Sequence, residues 1–150
     1  MILLIIFLIS TLLYIVIGLK VKQWEVITTL GFPTETPEGY LKNPRRYNVV
    51  RTSCFFIALF AVIISPYRYS ATLGFPILGL LWFLVNNRGI NGGIKEYRRV
   101  MKETIDYYEA NPSEDGGEFY EHAKTSLRIT DDQICEMYKE KIKLKKTFQK

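Results

Sequence analysis

One histidine and two cysteines among 150 residues leave little material for metal or nucleophile chemistry. His122 stands four residues after Glu118 and next to Glu121, so a helix there would put Glu118 and His122 on one face. Two such ligands do not fill a tetrahedral zinc shell, and a bundle-type di-iron centre needs more carboxylates and a second histidine. A solvated surface histidine is the simpler expectation. Cys54 lies in an apolar run and Cys135 in a charged one, so neither a disulfide nor a Cys–His pair is expected. The patterns G-x-S-x-G, H-E-x-x-H and G-x-x-x-x-G-K-[ST] do not occur. Their absence removes the sequence signals of a hydrolase elbow, a zincin and a phosphate loop. The expectation is a non-enzymatic protein with no cofactor and no metal.

Charge is also missing, and from particular places. Residues 1 to 19, MILLIIFLISTLLYIVIGL, carry none, and between Arg51 and Arg88 the only charged side chain is Arg68. A composition of 48% hydrophobic and 23% charged residues, with mean hydropathy +0.03, would pass for a soluble domain. The distribution does not, because a bilayer core of about 30 Å takes roughly 20 helical residues to cross. An all-α integral membrane protein is predicted. A cleaved signal peptide would show a basic start, a shorter apolar centre and a small-residue cleavage site. Met1 leads straight into Ile2 and Leu3, and no A-x-A precedes Lys20, so residues 1–19 read as a retained anchor.

The stretch from Thr52 to Asn87 has 36 residues, and as one helix it would reach about 54 Å, far beyond the apolar thickness. It must turn back, which makes residues 52–87 a hairpin and gives three spans. Pro66 removes a backbone donor at the bend. Tyr67, Arg68 and Tyr69 have the aromatic and basic character of interface anchors. Arg68 at the tip competes with Arg68 as a membrane-embedded charge that needs an acidic partner. Each arm is short, roughly 14 to 18 residues against the usual 17 to 25, so a re-entrant hairpin stays open. Cys54, Ala58, Ala61 and Ser65 recur at helical spacing. Small side chains on one face allow close helix approach in lipid, either against the other arm or against another subunit.

Basic residues set the orientation. Lys20 and Lys22 follow the first span; Lys42, Arg45, Arg46 and Arg51 precede the second; Arg88, Lys95, Arg98, Arg99 and Lys102 follow the third. These regions are expected in the cytoplasm, and the turn carrying Arg68 outside together with the N-terminus. Residues 20–51 then form a cytoplasmic loop. Pro33, Pro37, Pro44 and Gly39 argue against a long helix in its second half. Arg45 and Arg46 can touch anionic headgroups, although topology alone accounts for them.

Residues 88–150 make the cytoplasmic tail. NNRGINGG reads as a flexible exit, after which Ile94, Tyr97, Met101, Ile105 and Tyr108 keep helical spacing. That apolar stripe can pack on the protein's own tail, lie on lipid, or bind a partner helix. Asn111-Pro112 ends the helix and SEDGGE is a loop. Beyond it, Thr130-Asp131-Asp132-Gln133 reads as a capping box that opens a helix with Ile134, Tyr138 and Ile142 on one face. The alternative makes SLRI and KIKL strands. Residues 111–138 hold seven acidic and two basic residues, net −5, whereas 139–150 hold six lysines and one glutamate, net +5. The basic tail of Lys139, Lys141, Lys143, Lys145, Lys146 and Lys150 can meet anionic lipid or fold back on the acidic part. No recognition motif points to nucleic acid.

TLGFP occurs twice, at residues 29–33 and 72–76. The first copy runs into a polar stretch, PTETPEGYLK, and the second into an apolar one, PILGLLWFLV. A repeated fold unit would keep its buried pattern, so the shared residues point to a local job. Glycine permits a turn, and proline disfavours helix in the residue before it. The first copy is expected to close the apolar piece after span one, and the second to break the chain as it re-enters the membrane.

A membrane hairpin, a basic segment, Asn111-Pro112, a glycine-containing loop and then SLRITDDQICEMYKEK resemble small bacterial membrane proteins of the YcxB-like type. The resemblance spans about residues 52 to 148 and implies a PH-like cytoplasmic tail. It carries over no functional residues.

Two classes of function remain. The first is a membrane subunit or scaffold that packs in the bilayer, with other membrane-protein subunits or with itself, and engages a protein partner or anionic lipid through its tail. The second is a small oligomeric channel or transporter component. That class needs polar residues along a path, and the spans offer chiefly Ser10, Thr11, Ser53 and Ser65.

Overall fold

A computed structural model describes residues 2–31, 44–65, 68–111 and 117–148, with the side chains of all but residues 44, 68–71, 145, 146 and 148. Five helices account for them: α1 (Ile2–Leu30), α2 (Pro44–Ile64), α3 (Arg68–Ala110), α4 (Gly117–Arg128) and α5 (Asp131–Phe148). No strand occurs among the described residues. SLR ends α4, and KIKL lies within α5, so the helical reading of the tail holds and the strand reading does not.

Helix α1 runs eleven residues past Leu19, where a loop was expected from residue 20. VKQWEVITTL contains neither glycine nor proline, so nothing in it stops a helix. Gly31 does, at φ 99°, a conformation open to glycine and costly for other residues. The second TLGFP behaves differently. Gly74, Phe75 and Pro76 all lie inside α3, so no break occurs there. Proline removes one i to i−4 bond, a loss that membrane helices accommodate. NNRGINGG is likewise helical throughout, in place of a flexible exit. Helix α3 stops at Ala110, where both Asn111 N–H and Asn111 Nδ2 donate to the Tyr107 carbonyl, at 3.0 and 2.9 Å.

The chain divides into two compact units, residues 1–24 with 35–89 and residues 25–34 with 90–150. In the first, α1, α2 and α3 pack in an up-down-up arrangement that can be followed level by level. Ala58, Val62 and Leu78 form one cluster, with Phe7 against it. Tyr14, Cys54 and Val85 form the next, and the Tyr14 and Phe55 rings stand 5.5 Å apart. Residue numbers thus rise along α1 and α3 while they fall along α2. Glycines let the backbones close. A Cβ on Gly74 would stand 2.7 Å from Val62 Cγ1, one on Gly18 2.7 Å from Val85 Cγ1, and one on Gly89 2.6 Å from Lys22 Cβ. Small residues at such crossings are how helices associate without a hydrophobic driving force between them.

The second unit packs the second half of α3 with α4, α5 and the end of α1. Its core holds Val26, Ile27, Leu30, Ile94, Tyr97, Met101, Ala123, Ile134 and Tyr138, each at most 3% exposed. Of the predicted stripe on α3, Ile94, Tyr97 and Met101 face this core, and Ile105 and Tyr108 are half-buried. Packing on the protein's own tail is therefore the destination of Ile94, Tyr97 and Met101. They do not form an open partner or lipid face.

Candidate functional site

Three helices are long and apolar enough to cross a membrane: Ile2–Leu30, Arg45–Ile64 and Thr72–Ala110. The middle one, at 20 residues, measures about 30 Å at 1.5 Å per residue, but it includes Arg45, Arg46 and Arg51, and its uncharged part, residues 52–64, measures about 20 Å. Starting at Pro44 adds a basic first part to that arm ahead of Thr52. The outward surface of the first unit is apolar, with Leu8, Leu12, Phe56, Phe60, Leu80 and Trp82 all exposed. Cys54, Ala58 and Ala61 point inward, at 7%, 0% and 6% exposure, and Ser65 is half-buried just beyond the helix. The small-residue face thus packs against this chain's own α1 and α3.

The same contacts sort the charges. Gly18, Val85 and the side chain of Arg51 meet at one level, and Lys22 meets Gly89 one turn on. Lys20, Lys22, Arg51 and Arg88 therefore share one end of the three-helix unit, with Arg45 and Arg46 further along α2. The opposite end is the α2–α3 connection. Tyr67 lies outside the described residues, and Arg68 and Tyr69 are described only as the first turn of α3.

The polar side chains of the second unit converge on the turns that hold it. Tyr97 Oη on α3 lies 2.9 Å from Ser126 Oγ and 3.0 Å from His122 Nε2, both on α4. The i, i+4 spacing of His122 and Ser126 puts both within reach of one hydroxyl. Ser126 is buried, and its partner is the tyrosine, not the histidine. His122 is exposed as expected yet tied to the core through Tyr97, a link with no sequence signal beyond that spacing.

Arg98, one residue on, grips the connection between α4 and α5. Its Nε donates to Asp131, and its remaining nitrogens reach the carbonyls of Ile129 and, at 3.5 Å, Leu127. The predicted capping box is formed at the same turn. Thr130 N–H donates to Gln133 Oε1 at 2.8 Å, and Gln133 N–H to Thr130 Oγ1 at 3.3 Å. On the outer face of α3, Arg99 bridges Glu96 and Glu103.

Helix α5 is then fastened to the end of α1. Tyr138 Oη donates to Glu25 Oε1 at 3.2 Å, and Lys141 Nζ to the Leu30 carbonyl at 3.0 Å. A lysine there satisfies a terminal carbonyl and meets the negative end of the helix dipole. Burial raises the Tyr138 phenol above its usual range, and the Glu25 carboxylate, by its charge and its hydrogen bond, raises it further. Of the lysine run, Lys139 and Lys143 are exposed and Lys141 is half-buried. The side chains of Lys145 and Lys146, and all of Lys150, lie outside the described residues. Cys54 and Cys135 are free thiols. Among the described residues no three His, Cys, Asp or Glu side chains group to hold a metal.

No protein-family model, no curated protein and no solved structure matches this chain.

Proposed function

We propose that the chain is a three-span membrane subunit or scaffold, with its N-terminus outside and residues 90–150 in the cytoplasm. The orientation rests on the concentration of Lys20, Lys22, Arg45, Arg46, Arg51 and Arg88 at one end of the three-helix unit, which the positive-inside tendency assigns to the cytoplasm. Each span is read as a full crossing: residues 69–87 of α3 carry no charge and measure about 28 Å, close to a bilayer core, and α2 leads into the start of that helix. The work of the protein is association: with other membrane subunits or with itself in the bilayer, and with a protein partner or anionic lipid through the tail.

The observation that carries this reading is the separation of two surfaces in the tail. The inner stripe of α3 and Ile134 and Tyr138 of α5 are consumed by the tail's own core, so the unit holds its shape without a partner. Met137 and Leu144, seven residues apart on α5, stay exposed, as do Lys139 and Lys143 on the same helix and Phe119 on α4. Two apolar side chains left exposed on one face of α5 support recognition of another molecule through that helix. Affinity purification of the tagged chain in mild detergent, followed by mass spectrometry, tests it. Stoichiometric co-purification of a membrane or cytoplasmic protein, lost on Phe119→Ser with Met137→Ser, is the expected result. Recovery as a lone monomer would count against it.

A further inference from the structure

Residues 2–24, 44–65 and 68–89, the described part of the first unit, carry seven basic side chains and not one aspartate or glutamate. Six of the seven sit at one end. The level is fixed by packing. Arg51 Cδ lies 3.5 Å from where a Gly18 Cβ would stand, Val85 closes the same contact, and Gly89 rests on the Lys22 side chain. Lys20 lies between Gly18 and Lys22 on α1, Arg88 adjoins Gly89 on α3, and Arg45 lies six residues before Arg51 on α2. At 1.5 Å per residue those six residues span about 9 Å, so these charges occupy a belt of roughly headgroup thickness. Lys20, Arg45 and Arg88 are exposed, and Arg51 is half-buried with its stem against α1.

The surface adjoining the belt names its occupant. Toward the other end of the same helices it is apolar, with Leu12, Val16, Phe56 and Trp82 outward. A basic belt at the edge of an apolar band is complementary to a bilayer leaflet that presents anionic headgroups. The acids nearest along the helices are engaged within the second unit: Glu25 accepts from Tyr138, and Glu96 pairs with Arg99. Glu35 and Glu38 lie outside the described residues. We propose that the end of the three-helix unit bearing Lys20, Arg45, Arg51 and Arg88 is a binding surface for the phosphate headgroups of anionic phospholipids. This lipid contact is distinct from any made by the lysines of α5, and it rests on the reading of these helices as membrane spans. Arg51 is its fixed point, because packing against Gly18 holds its stem, whereas the exposed residues adapt around the headgroup.

The test uses the full chain in non-ionic detergent, offered equal amounts of phosphatidylglycerol and phosphatidylcholine, with retained lipid counted by native mass spectrometry. Wild type is expected to retain phosphatidylglycerol in preference. Lys20→Gln, Arg45→Gln and Arg88→Gln are expected to lower that preference by on the order of fivefold for each charge removed. Arg45→Lys and Arg88→Lys keep it, as does the tail variant Lys139→Gln/Lys143→Gln. The three sites are exposed, so the single variants report on lipid without disturbing the packing, and the charge-retaining pair controls for folding. Equal retention of both lipids by wild type would overturn the proposal. So would an undiminished preference in all three Gln variants, or a preference lost only in the tail variant. Release of the chain from native membranes by alkaline carbonate would instead overturn the membrane reading beneath it.

Discussion

Gly74 lies so close to Val62 that a Cβ placed on it would stand 2.7 Å from both γ-methyls of the valine. Gly79, five residues on in the same helix, has nothing within 4 Å of that position. The pair separates packing from propensity. Gly74→Ala forces α2 and α3 apart and should destabilise the three-helix unit by about 1–3 kcal/mol, as overpacking does. Gly79→Ala should be neutral or stabilising by about 0.5–1 kcal/mol, since alanine suits a helix interior better than glycine. Thermal unfolding of the two variants in one detergent makes the comparison, and equal midpoints would contradict the packing.

Arg98 joins the α4–α5 connection to α3 through a carboxylate and two carbonyls. Arg98→Ala should cost about 1.5–3 kcal/mol, the range for hydrogen bonds made by a charged group. Arg98→Lys should not restore it, because an ammonium cannot reproduce the fork. Amide exchange across residues 127–131 is the readout, and both variants should exchange faster there than wild type.

Tyr97 satisfies Ser126, a buried hydroxyl. Tyr97→Phe keeps the ring and leaves that hydroxyl without this partner, for an expected loss of about 1–3 kcal/mol. Adding Ser126→Ala should recover part of the loss, because a residue that needs no partner then fills the site. A double-mutant cycle on chemical unfolding of the tail checks the coupling; additive losses would show that the two hydroxyls do not interact.

Tyr138 should ionise above the ordinary tyrosine range. Burial and then the Glu25 carboxylate raise its folded pKa above the ordinary tyrosine value. Its contribution to stability is therefore complete below pH ~10 and is lost as pH climbs from there toward the folded value. Phenolate absorbance in an alkaline titration should show a late step to which Tyr138 contributes and which Tyr138→Phe diminishes. Glu25→Gln should bring that step to lower pH by taking away the neighbouring charge.

Much of the fold is legible in the residues, and the parts that are not have physical reasons. Uncharged runs mark the helices that are long and apolar enough to cross a membrane, and Thr130 with Gln133 marks the start of α5 because a capping box is local chemistry. The helical course of NNRGINGG and of Gly74-Phe75-Pro76 cannot be read locally. There Gly89 answers to Lys22 and Gly74 to Val62 on other helices, a tertiary demand that overrides propensity. Gly31 uses its conformational freedom to end a helix, while Gly74 in the same five-letter string uses its lack of a side chain. The Arg98 and Tyr97 contacts were hidden for the same reason, since they span 25 to 33 residues of sequence. The stripe on α3 was visible as apolar, but its cover, α4 and α5, comes from the folded tail alone.

The central claim is that α2 and α3 both cross the bilayer, leaving residue 67 and residues 90–150 on opposite sides. Single cysteines at Tyr67 and Glu109, in a chain carrying Cys54→Ala and Cys135→Ser, can be tested with a membrane-impermeant maleimide on intact cells. Labelling of position 67 from outside, with position 109 labelled only after the membrane is opened, is the predicted result. Labelling of both positions from the same side would contradict it.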